Sequence, residues 1–197
     1  EGIIFLVGAT LDTWRRPPKT SFFVDIVSDG VPHPGADLHL VQNKTYADLL
    51  NNTLFMPHWP QPYLVKRDPL RGDRFEKIAY FGDHNNLAPE LRTTAWRKLL
   101  SDELGLTLHI HGADRWHDYS DIDCVIALRD FSDSVHLNKP AAKLYNAWLA
   151  DVPFIGGIDS AYAADGEVWK NYLMATSVPE TFAHLKRLQT YPALRTK

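Results

Sequence analysis

The strongest constraint on the fold is an alternation of short apolar runs with longer amphipathic segments across residues 77–188. In chain order this alternation predicts strands over 77–81, 107–111, 124–128, 153–155 and 173–175, and helices over 89–104, 140–150 and 179–188. Strands that alternate with helices in this way indicate right-handed βαβ units on a parallel sheet. We therefore predict an α/β fold in which a Rossmann-like parallel sheet is flanked by helices.

The helix boundaries are supported by proline and glycine. Pro89, Pro140 and Pro179 stand at predicted helix starts, where the missing N–H of proline would lack a partner in any case. Gly105 follows the first of these helices and is typical of a helix end.

The first sixty residues have a different organisation. Their apolar runs predict strands over 3–9, 21–27, 38–42 and 53–56, with a short helix over 46–50. A proline-rich tract with Pro57, Pro60, Pro62 and Pro69 follows, and it disfavours regular structure. We place the domain boundary near Pro62, which gives a small α/β N-terminal part over 1–62 and a Rossmann-like domain over 63–197.

Composition excludes several classes of protein. The formal net charge is -3 and the sequence pI is about 6.3, which gives no overall attraction to nucleic acid or an anionic membrane. The single cysteine, Cys124, lies in an apolar run and predicts a buried thiol in a reducing compartment. No apolar run approaches the roughly 20 residues that span a bilayer, and the opening EGIIFLVGAT lacks the basic start and cleavage pattern of a signal peptide. We expect a cytoplasmic location, and the start at Glu1 suggests a piece of a longer chain.

Ligands of open α/β sheets bind beyond the carboxyl ends of the strands, where helix N-termini hold phosphate. The predicted strands place three loops there, at 82–86, 129–139 and 156–161. The segment that joins the last two, KPAAKLYNAWLADVPFIGG, carries Lys139 at the start of a helix and Lys143 one turn later. Lysines at a helix start oppose the helix dipole, and a bound anion would offset that cost. A solvated surface helix is the alternative interpretation.

This segment resembles the donor-site signature of GT-B glycosyltransferases, in which a K-P-x-K-like or Glu-rich helix start leads through L-x-E-A-M-A-x-G-x-P-V-I into the next strand. The matching residues are Lys139, Pro140, Lys143, Leu144, Ala147, Ala150, Pro153, Ile155 and Gly156. The loop at 82–86 resembles the strand-to-helix loop beneath the acceptor in that fold, and FMPHWPQP resembles its interdomain crossover. The resemblance covers about residues 53–190.

The resemblance implies that residues 63–197 form a nucleotide-sugar-binding domain with a donor site. Lys143 and Arg129 would face the donor diphosphate, with Gly156, Ser160 and Ala161 near the phosphates or the sugar. The full predicted donor-binding set is Gly82, Arg129, Lys139, Lys143, Tyr145, Asn146, Gly156, Ser160 and Ala161. The sequence departs from the family at two positions. Asn146 stands in place of the ribose-binding glutamate, and the position of the family's earlier acidic residue falls near Asn138. An amide still bonds a ribose hydroxyl, but without the charge-assisted component.

The acceptor side is short. A usual GT-B acceptor domain is a complete α/β unit, so residues 1–62 represent a truncated or minimal one. Inverting GT-B enzymes generally take a base from this side, and Asp29, His33 and His58 are candidates by position only.

Two patterns resemble metal sites, and we predict a metal at neither. One is formed by histidines on a predicted strand with polar residues after it, and the other is a D-x-D pair; the residues are His109, His111, His117, Asp118, Asp121 and Asp123. The first lacks a second carboxylate at ligand spacing. The second precedes a strand, at the edge of the sheet away from the nucleotide. The histidines would flank a sugar pocket or lie at a sheet edge. We therefore predict no metal and no cofactor.

The sequence thus predicts a metal-independent glycosyltransferase, or its donor-binding part, that transfers a sugar from a nucleotide-diphosphate sugar to a hydroxyl acceptor such as a carbohydrate. In this hypothesis Lys143 and its helix start neutralise the leaving diphosphate. The alternative is a non-catalytic GT-B-like module that binds a nucleotide or sugar or acts as a scaffold. A Rossmann oxidoreductase is disfavoured because no G-x-G-x-x-G follows a strand.

Overall fold

The structure, a computed structural model, describes residues 2–7 and 20–195. Within these residues the chain forms nine strands and five α-helices. The strands are β1 Gly2–Val7, β2 Ser21–Val27, β3 Leu38–Val41, β4 Thr53–Phe55, β5 Lys77–Phe81, β6 Thr107–His111, β7 Cys124–Ala127, β8 Phe154–Gly156 and β9 Leu173–Met174. The helices are α1 Lys44–Leu49, α2 Thr94–Leu104, α3 Ala142–Leu149, α4 Ser160–Asp165 and α5 Val178–Thr190.

The chain divides into two compact units. The first comprises Glu1–Trp59, Val135–Ala141 and Asp159–Asp165. The second comprises Pro60–Ser134, Ala142–Ile158 and Gly166–Lys197. A division of the sequence at Pro62 assigns every later residue to the second domain, whereas the compact units group two later segments with the N-terminal residues.

The first unit contains a parallel sheet of four strands in the order β1-β2-β3-β4. Its buried apolar side chains include Phe23, Val24, Val27 and Val41. Helix α1 connects β3 to β4 and begins at Asn43, whose side chain accepts a hydrogen bond from the N–H of Tyr46. The predicted strand over 3–9 runs past Val7 into positions outside the described residues.

The second unit contains a parallel sheet of five strands in the order β6-β5-β7-β8-β9. Helix α2 connects β5 to β6, and α3 connects β7 to β8. Two parallel sheets with helical connections confirm the predicted α/β fold.

The core of the second unit lies between this sheet and two helices. Helix α2 contributes Trp96, Leu100 and Leu104 to one buried cluster, and α5 contributes Leu185 and Leu188. The strands contribute side chains at alternate positions, as the two-residue period of a strand requires. These strand residues are Ile78, Tyr80, Leu108, Cys124, Ile126 and Ile155.

The predicted helix over 89–104 is interrupted at Thr93. Pro89–Arg92 form a 3₁₀ turn, and Thr93 adopts an extended backbone with φ of -72° and ψ of 151°. The Thr93 hydroxyl then accepts a hydrogen bond from the N–H of Trp96 at 3.1 Å and begins α2. A threonine that caps a helix terminates whatever helical turn precedes it, because the cap residue is not helical.

Two further helix boundaries follow their predicted signals. Helix α2 ends at Gly105, which has a left-handed backbone with φ of 63° and donates its N–H to the carbonyls of Leu100 and Ser101. Helix α5 places Pro179 in its first turn, after the N-cap Ser177.

Among residues 2–7 and 20–195, no helix has the length and apolar character needed to cross a membrane.

Candidate functional site

The carboxyl ends of three adjacent strands in the second unit bring together three of the predicted donor-binding residues. Gly82 follows β5, Arg129 lies just beyond β7, and Gly156 is the last residue of β8. Because β5, β7 and β8 are neighbours in one parallel sheet, these residues lie at the same edge. This edge is where α/β sheets bind ligands.

Gly82 is required by the backbone at this edge. Its φ of 154° is unfavourable for residues with a side chain, and an added Cβ would lie 3.0 Å from the Tyr80 hydroxyl oxygen. The N–H of Gly82 donates to the carbonyl of His111 at 3.0 Å. In the following loop, the side chain of Asp83 accepts from the N–H of Asn85 at 2.7 Å and fixes a short turn.

Lys143 reaches the same edge from the first turn of α3. Its Nζ lies 5.5 Å from the centroid of the Tyr80 ring, and Tyr80 is the penultimate residue of β5. A cation over an aromatic face is stabilised by the ring quadrupole. The contact holds the lysine near the carboxyl end of β5, close to the start of its own helix.

The other two predicted residues of α3 have contacts away from this edge. Tyr145 packs against Trp148, with ring centroids 6.1 Å apart. Asn146 is buried, and its side-chain oxygen accepts a hydrogen bond from the N–H of Gln61 at 2.9 Å. Burial raises the pKa of Tyr119, and the nearby side chain of Asn146 opposes this shift. The amide at the position of the expected glutamate is therefore engaged in packing within the unit.

Lys139, Ser160 and Ala161 belong to the first unit. Asn43 links two of them, since its Nδ2 donates to the hydroxyl of Ser160 at 2.7 Å and to the carbonyl of Lys139 at 3.1 Å. The N–H of Ser160 donates to the carbonyl of Val135 at 2.8 Å. Ser160 and Ala161 are buried.

The three predicted base candidates have distinct surroundings. Asp29 lies 3.4 Å from the Nζ of Lys139, and its carbonyl accepts from the side chain of Asn138 at 3.1 Å. His33 accepts from the N–H of Gly35 through Nδ1 at 3.1 Å. The Nδ1 of His58 lies 2.6 Å from the carbonyl of Trp59. Of the three, Asp29 is the one that contacts a predicted donor-binding residue.

A buried carboxylate in the first unit was not selected from the sequence. Asp25, in the middle of β2, is fully buried. One of its oxygens accepts from the N–H of His33 at 2.8 Å and lies 3.3 Å from the Nδ1 of His39. The signal in the sequence was a charged residue inside the apolar run SFFVDIV, and its contacts tie the loop after β2 to the sheet.

His109 and His111 lie on β6, which is an edge strand of the second sheet. A sheet edge is one of the two positions that the sequence predicted for these histidines. Their rings stack with centroids 5.8 Å apart. The Nε2 atom of each ring is buried and has no hydrogen-bond partner among the residues that the structure describes. Burial lowers the pKa of His109, with a smaller contribution from Lys77, and it lowers the pKa of His111, with a smaller contribution from Arg115.

The D-x-D pair is surrounded by cations. Both oxygens of Asp123 accept from guanidinium groups, including that of Arg71 at 2.7 Å and that of Arg67 at 2.9 Å. Burial favours the neutral acid, but hydrogen bonds from Arg71, from two backbone N–H groups and from Arg67 outweigh it and hold the pKa of Asp123 below its usual value. Asp121 accepts from the ammonium of Lys77 at 2.7 Å. In the described part of the chain, no group of three or more His, Cys, Asp or Glu side chains is arranged to hold a metal ion.

Comparison with known proteins gives a likeness of fold. No protein-family model and no curated protein matches the sequence. Among solved structures, the chain is similar to the crystal structure of TarM, a glycosyltransferase, with a TM-score of 0.55 and 12% sequence identity. The match covers 90% of this chain and 45% of the TarM chain. The chain therefore has a glycosyltransferase-like α/β fold and spans less than half the length of this neighbour.

Proposed function

We propose that the chain is a GT-B-like glycosyltransferase, or its donor-binding part, which transfers a sugar from a nucleotide-diphosphate sugar to a hydroxyl acceptor. The observation that carries the proposal is the position of Lys143, whose Nζ lies 5.5 Å from the Tyr80 ring at the carboxyl end of β5. Arg129 and the glycines at 82 and 156 lie at the ends of β7, β5 and β8 at the same edge. The likeness to TarM supports this class of function.

The chemistry required of this edge is stabilisation of a leaving diphosphate. Negative charge grows on the diphosphate as the glycosidic bond breaks, and preorganised cations and N–H groups lower the energy of that state. Lys143 and Arg129 supply positive charge, while the start of α3 supplies N–H groups and the positive end of a helix dipole. Gly82 and Gly156 have no side chain and allow close approach of the backbone to a ligand.

We propose that this transfer needs no metal. The carboxylates that most resemble a metal site are Asp121 and Asp123, and both are hydrogen-bonded to basic side chains. They lie just before β7, at its amino end. Charge neutralisation by Lys143 and Arg129 would take the place of a divalent cation.

Calorimetric titration with UDP and GDP, with and without magnesium, tests the proposal. We expect binding that is indifferent to magnesium and that weakens about tenfold or more in Lys143→Ala, because a charge-assisted contact to phosphate is lost. Lys98→Ala is the matched control, since Lys98 is an exposed lysine on α2 paired with Asp102. A folded chain that binds neither nucleotide, or a Lys143→Ala variant that binds like the control, would refute the donor site.

A non-catalytic module remains the second candidate, and Asn146 is the observation that favours it. The amide is buried and accepts the N–H of Gln61, so no acidic side chain stands at the place where the family has its ribose-binding glutamate. Incubation of the chain with nucleotide-diphosphate sugars and a measurement of released nucleotide diphosphate separates the two. Binding with no release, in the presence of a range of hydroxyl acceptors, supports the module.

A further inference from the structure

The second unit contains a cavity of about 560 Å³ at the amino ends of β8 and β9. Pro153, Phe154 and Leu173 line it where these strands begin. The proposed donor site lies at the carboxyl ends of the same sheet, so the cavity is at the opposite edge and shares no residue with that site. Its volume is in the range of ligand pockets, about 300–1,000 Å³.

The lining of this cavity combines aromatic rings with positive charge. Trp148, Trp169 and Tyr172 provide the rings, and Lys170 and Arg187 provide cations. Asp151 also lines the cavity, and its carboxylate is paired with the ammonium of Lys66 at 2.9 Å. Aromatic faces stack on the apolar CH faces of sugars, while a few polar groups fix orientation. Guanidinium groups pair with carboxylate or phosphate in two parallel hydrogen bonds.

Trp169 is an exposed side chain held in a fixed position. Its side chain is 59% exposed, and its backbone has φ of 69°, a left-handed value that bulky residues rarely adopt. The N–H of Trp169 donates to the carbonyl of Tyr172 at 2.8 Å. Its ring meets the edge of His184 at 5.1 Å between centroids. Such a conformation persists only where surrounding contacts enforce it, and it is common at ligand sites.

Arg187 is the cation best placed to meet an anionic ligand. Its guanidinium carbon lies 5.7 Å from the centroid of the Trp169 ring, and no carboxylate within the described residues forms an ion pair with it. Lys170, by contrast, pairs with Glu167 at 2.9 Å. A second arginine in the lining, Arg195, donates to three backbone carbonyls around it. Arg187 therefore presents positive charge beside an aromatic face.

We propose that this cavity binds a saccharide that carries an anionic group. The sugar ring stacks on Trp169, and the carboxylate or phosphate pairs with Arg187. This site is independent of the donor site, because nothing in it requires a nucleotide or sugar transfer. In a sugar-transferring protein it would hold an acidic glycan at a distance from the reacting centre.

Titration of the whole chain with trigalacturonate, glucose 6-phosphate and neutral maltotriose, followed by tryptophan fluorescence and calorimetry, tests the site. We expect an acidic ligand to bind more tightly than maltotriose, and the order of the two acidic ligands identifies the preferred anion. Trp169→Ala should weaken this binding about tenfold, and Arg187→Gln by a similar factor, since each removes one of the two main contacts.

Two variants serve as matched controls. Trp59→Ala removes another exposed tryptophan, which is 62% exposed, and Lys186→Gln removes the neighbouring exposed cation on α5; both should bind like the unmodified chain. Circular dichroism shows whether each variant is folded. If Trp169→Ala does not fold, the result for Arg187→Gln alone decides the test. Equal binding of maltotriose and the acidic ligands, no binding of any of them, or unchanged binding by folded Trp169→Ala and Arg187→Gln would overturn the proposal.

Discussion

The stacked histidines of β6 are a source of pH-dependent stability. Burial lowers the pKa of both His109 and His111 in the folded chain, so the unfolded chain, with a histidine pKa near 6.5, binds more protons below that pH. The two histidines therefore contribute to the free energy of unfolding above about pH 6.5, and this contribution is lost as the pH falls toward their folded pKa values. Lys77 and Arg115 disfavour the charged rings further, while Asp121 opposes this effect.

We therefore expect the free energy of unfolding, measured in urea, to fall between about pH 7.5 and about pH 5.5. The double variant His109→Gln, His111→Gln should lose much less over this interval, because glutamine does not titrate. His84→Gln, which removes an exposed histidine, should keep the full loss. An equal loss in the double variant and the unmodified chain would assign the acid sensitivity to other groups.

Residue types and spacing predicted which side chains lie at the strand ends, because a strand end is a local property of the sequence. Gly82, Arg129 and Gly156 stand directly at predicted strand ends, and the structure places them at one edge. The partner of Asn146 could not be predicted in this way, since Gln61 is 85 positions away. Contacts of this kind depend on how distant segments pack.

At the scale of elements, α1 is a short helix whose N-cap residue, Asn43, forms several side-chain hydrogen bonds. The side chain of Asn43 accepts from the N–H of Tyr46 as an N-cap and donates to Ser160 and to the carbonyl of Lys139. Asn43 is buried, so loss of its side chain leaves polar groups without partners. Asn43→Ala should lower the free energy of unfolding by about 2–4 kcal/mol, the sum of a cap and buried hydrogen bonds.

Asn43→Ser separates the two contributions. A serine hydroxyl caps a helix about as well as asparagine does, but it does not reach the partners that the amide nitrogen serves. We expect its loss of stability in chemical denaturation to be about 1 kcal/mol smaller than that of Asn43→Ala, the value of one cap. If the two variants were equally unstable, the cap would contribute nothing and the bonds to Ser160 and Lys139 would carry the whole effect.

Element boundaries were predictable where a single residue sets them. Gly105 ends α2 because it has a left-handed backbone with φ of 63°. The interruption at Thr93 was missed because its helix start lies inside a continuous amphipathic pattern, and only the extended backbone of Thr93 reveals it. Pro140 was predicted to begin a helix that in fact starts at Ala142.

At the scale of the whole molecule, the parallel sheets could be predicted and the grouping of segments could not. Alternating strands and helices specify a parallel sheet through the geometry of their connections. The segments Val135–Ala141 and Asp159–Asp165 belong to the first unit, and this depends on contacts with residues more than ninety positions away, such as the bonds from Asn43 to Lys139 and Ser160. No local sequence pattern in these two segments indicates that they belong to the first unit.

The two sheets should differ in the protection of their edge strands. In the sheets formed by the described residues, β1 and β6 are both edge strands. The side chains of Ile3, Phe5 and Val7 on β1 are exposed, whereas Leu108 on β6 is buried in the cluster to which α2 and α5 contribute. Protection from exchange follows buried apolar contact and hydrogen bonding, so hydrogen exchange followed by mass spectrometry should show faster uptake in β1 than in β6.

Peptides from β5 and β7 provide the internal reference for this measurement, since Ile78, Cys124 and Ile126 lie in the buried core and should exchange most slowly of all. The comparison of two edge strands within one chain removes differences in solution conditions, so the remaining difference reports burial. Uptake in β1 as slow as in β6 would contradict the prediction, because it would require cover for the exposed apolar face of β1. An apolar strand of this kind, left at a sheet edge, is also a site for pairing with another strand, and slow uptake that became fast on dilution would identify such pairing.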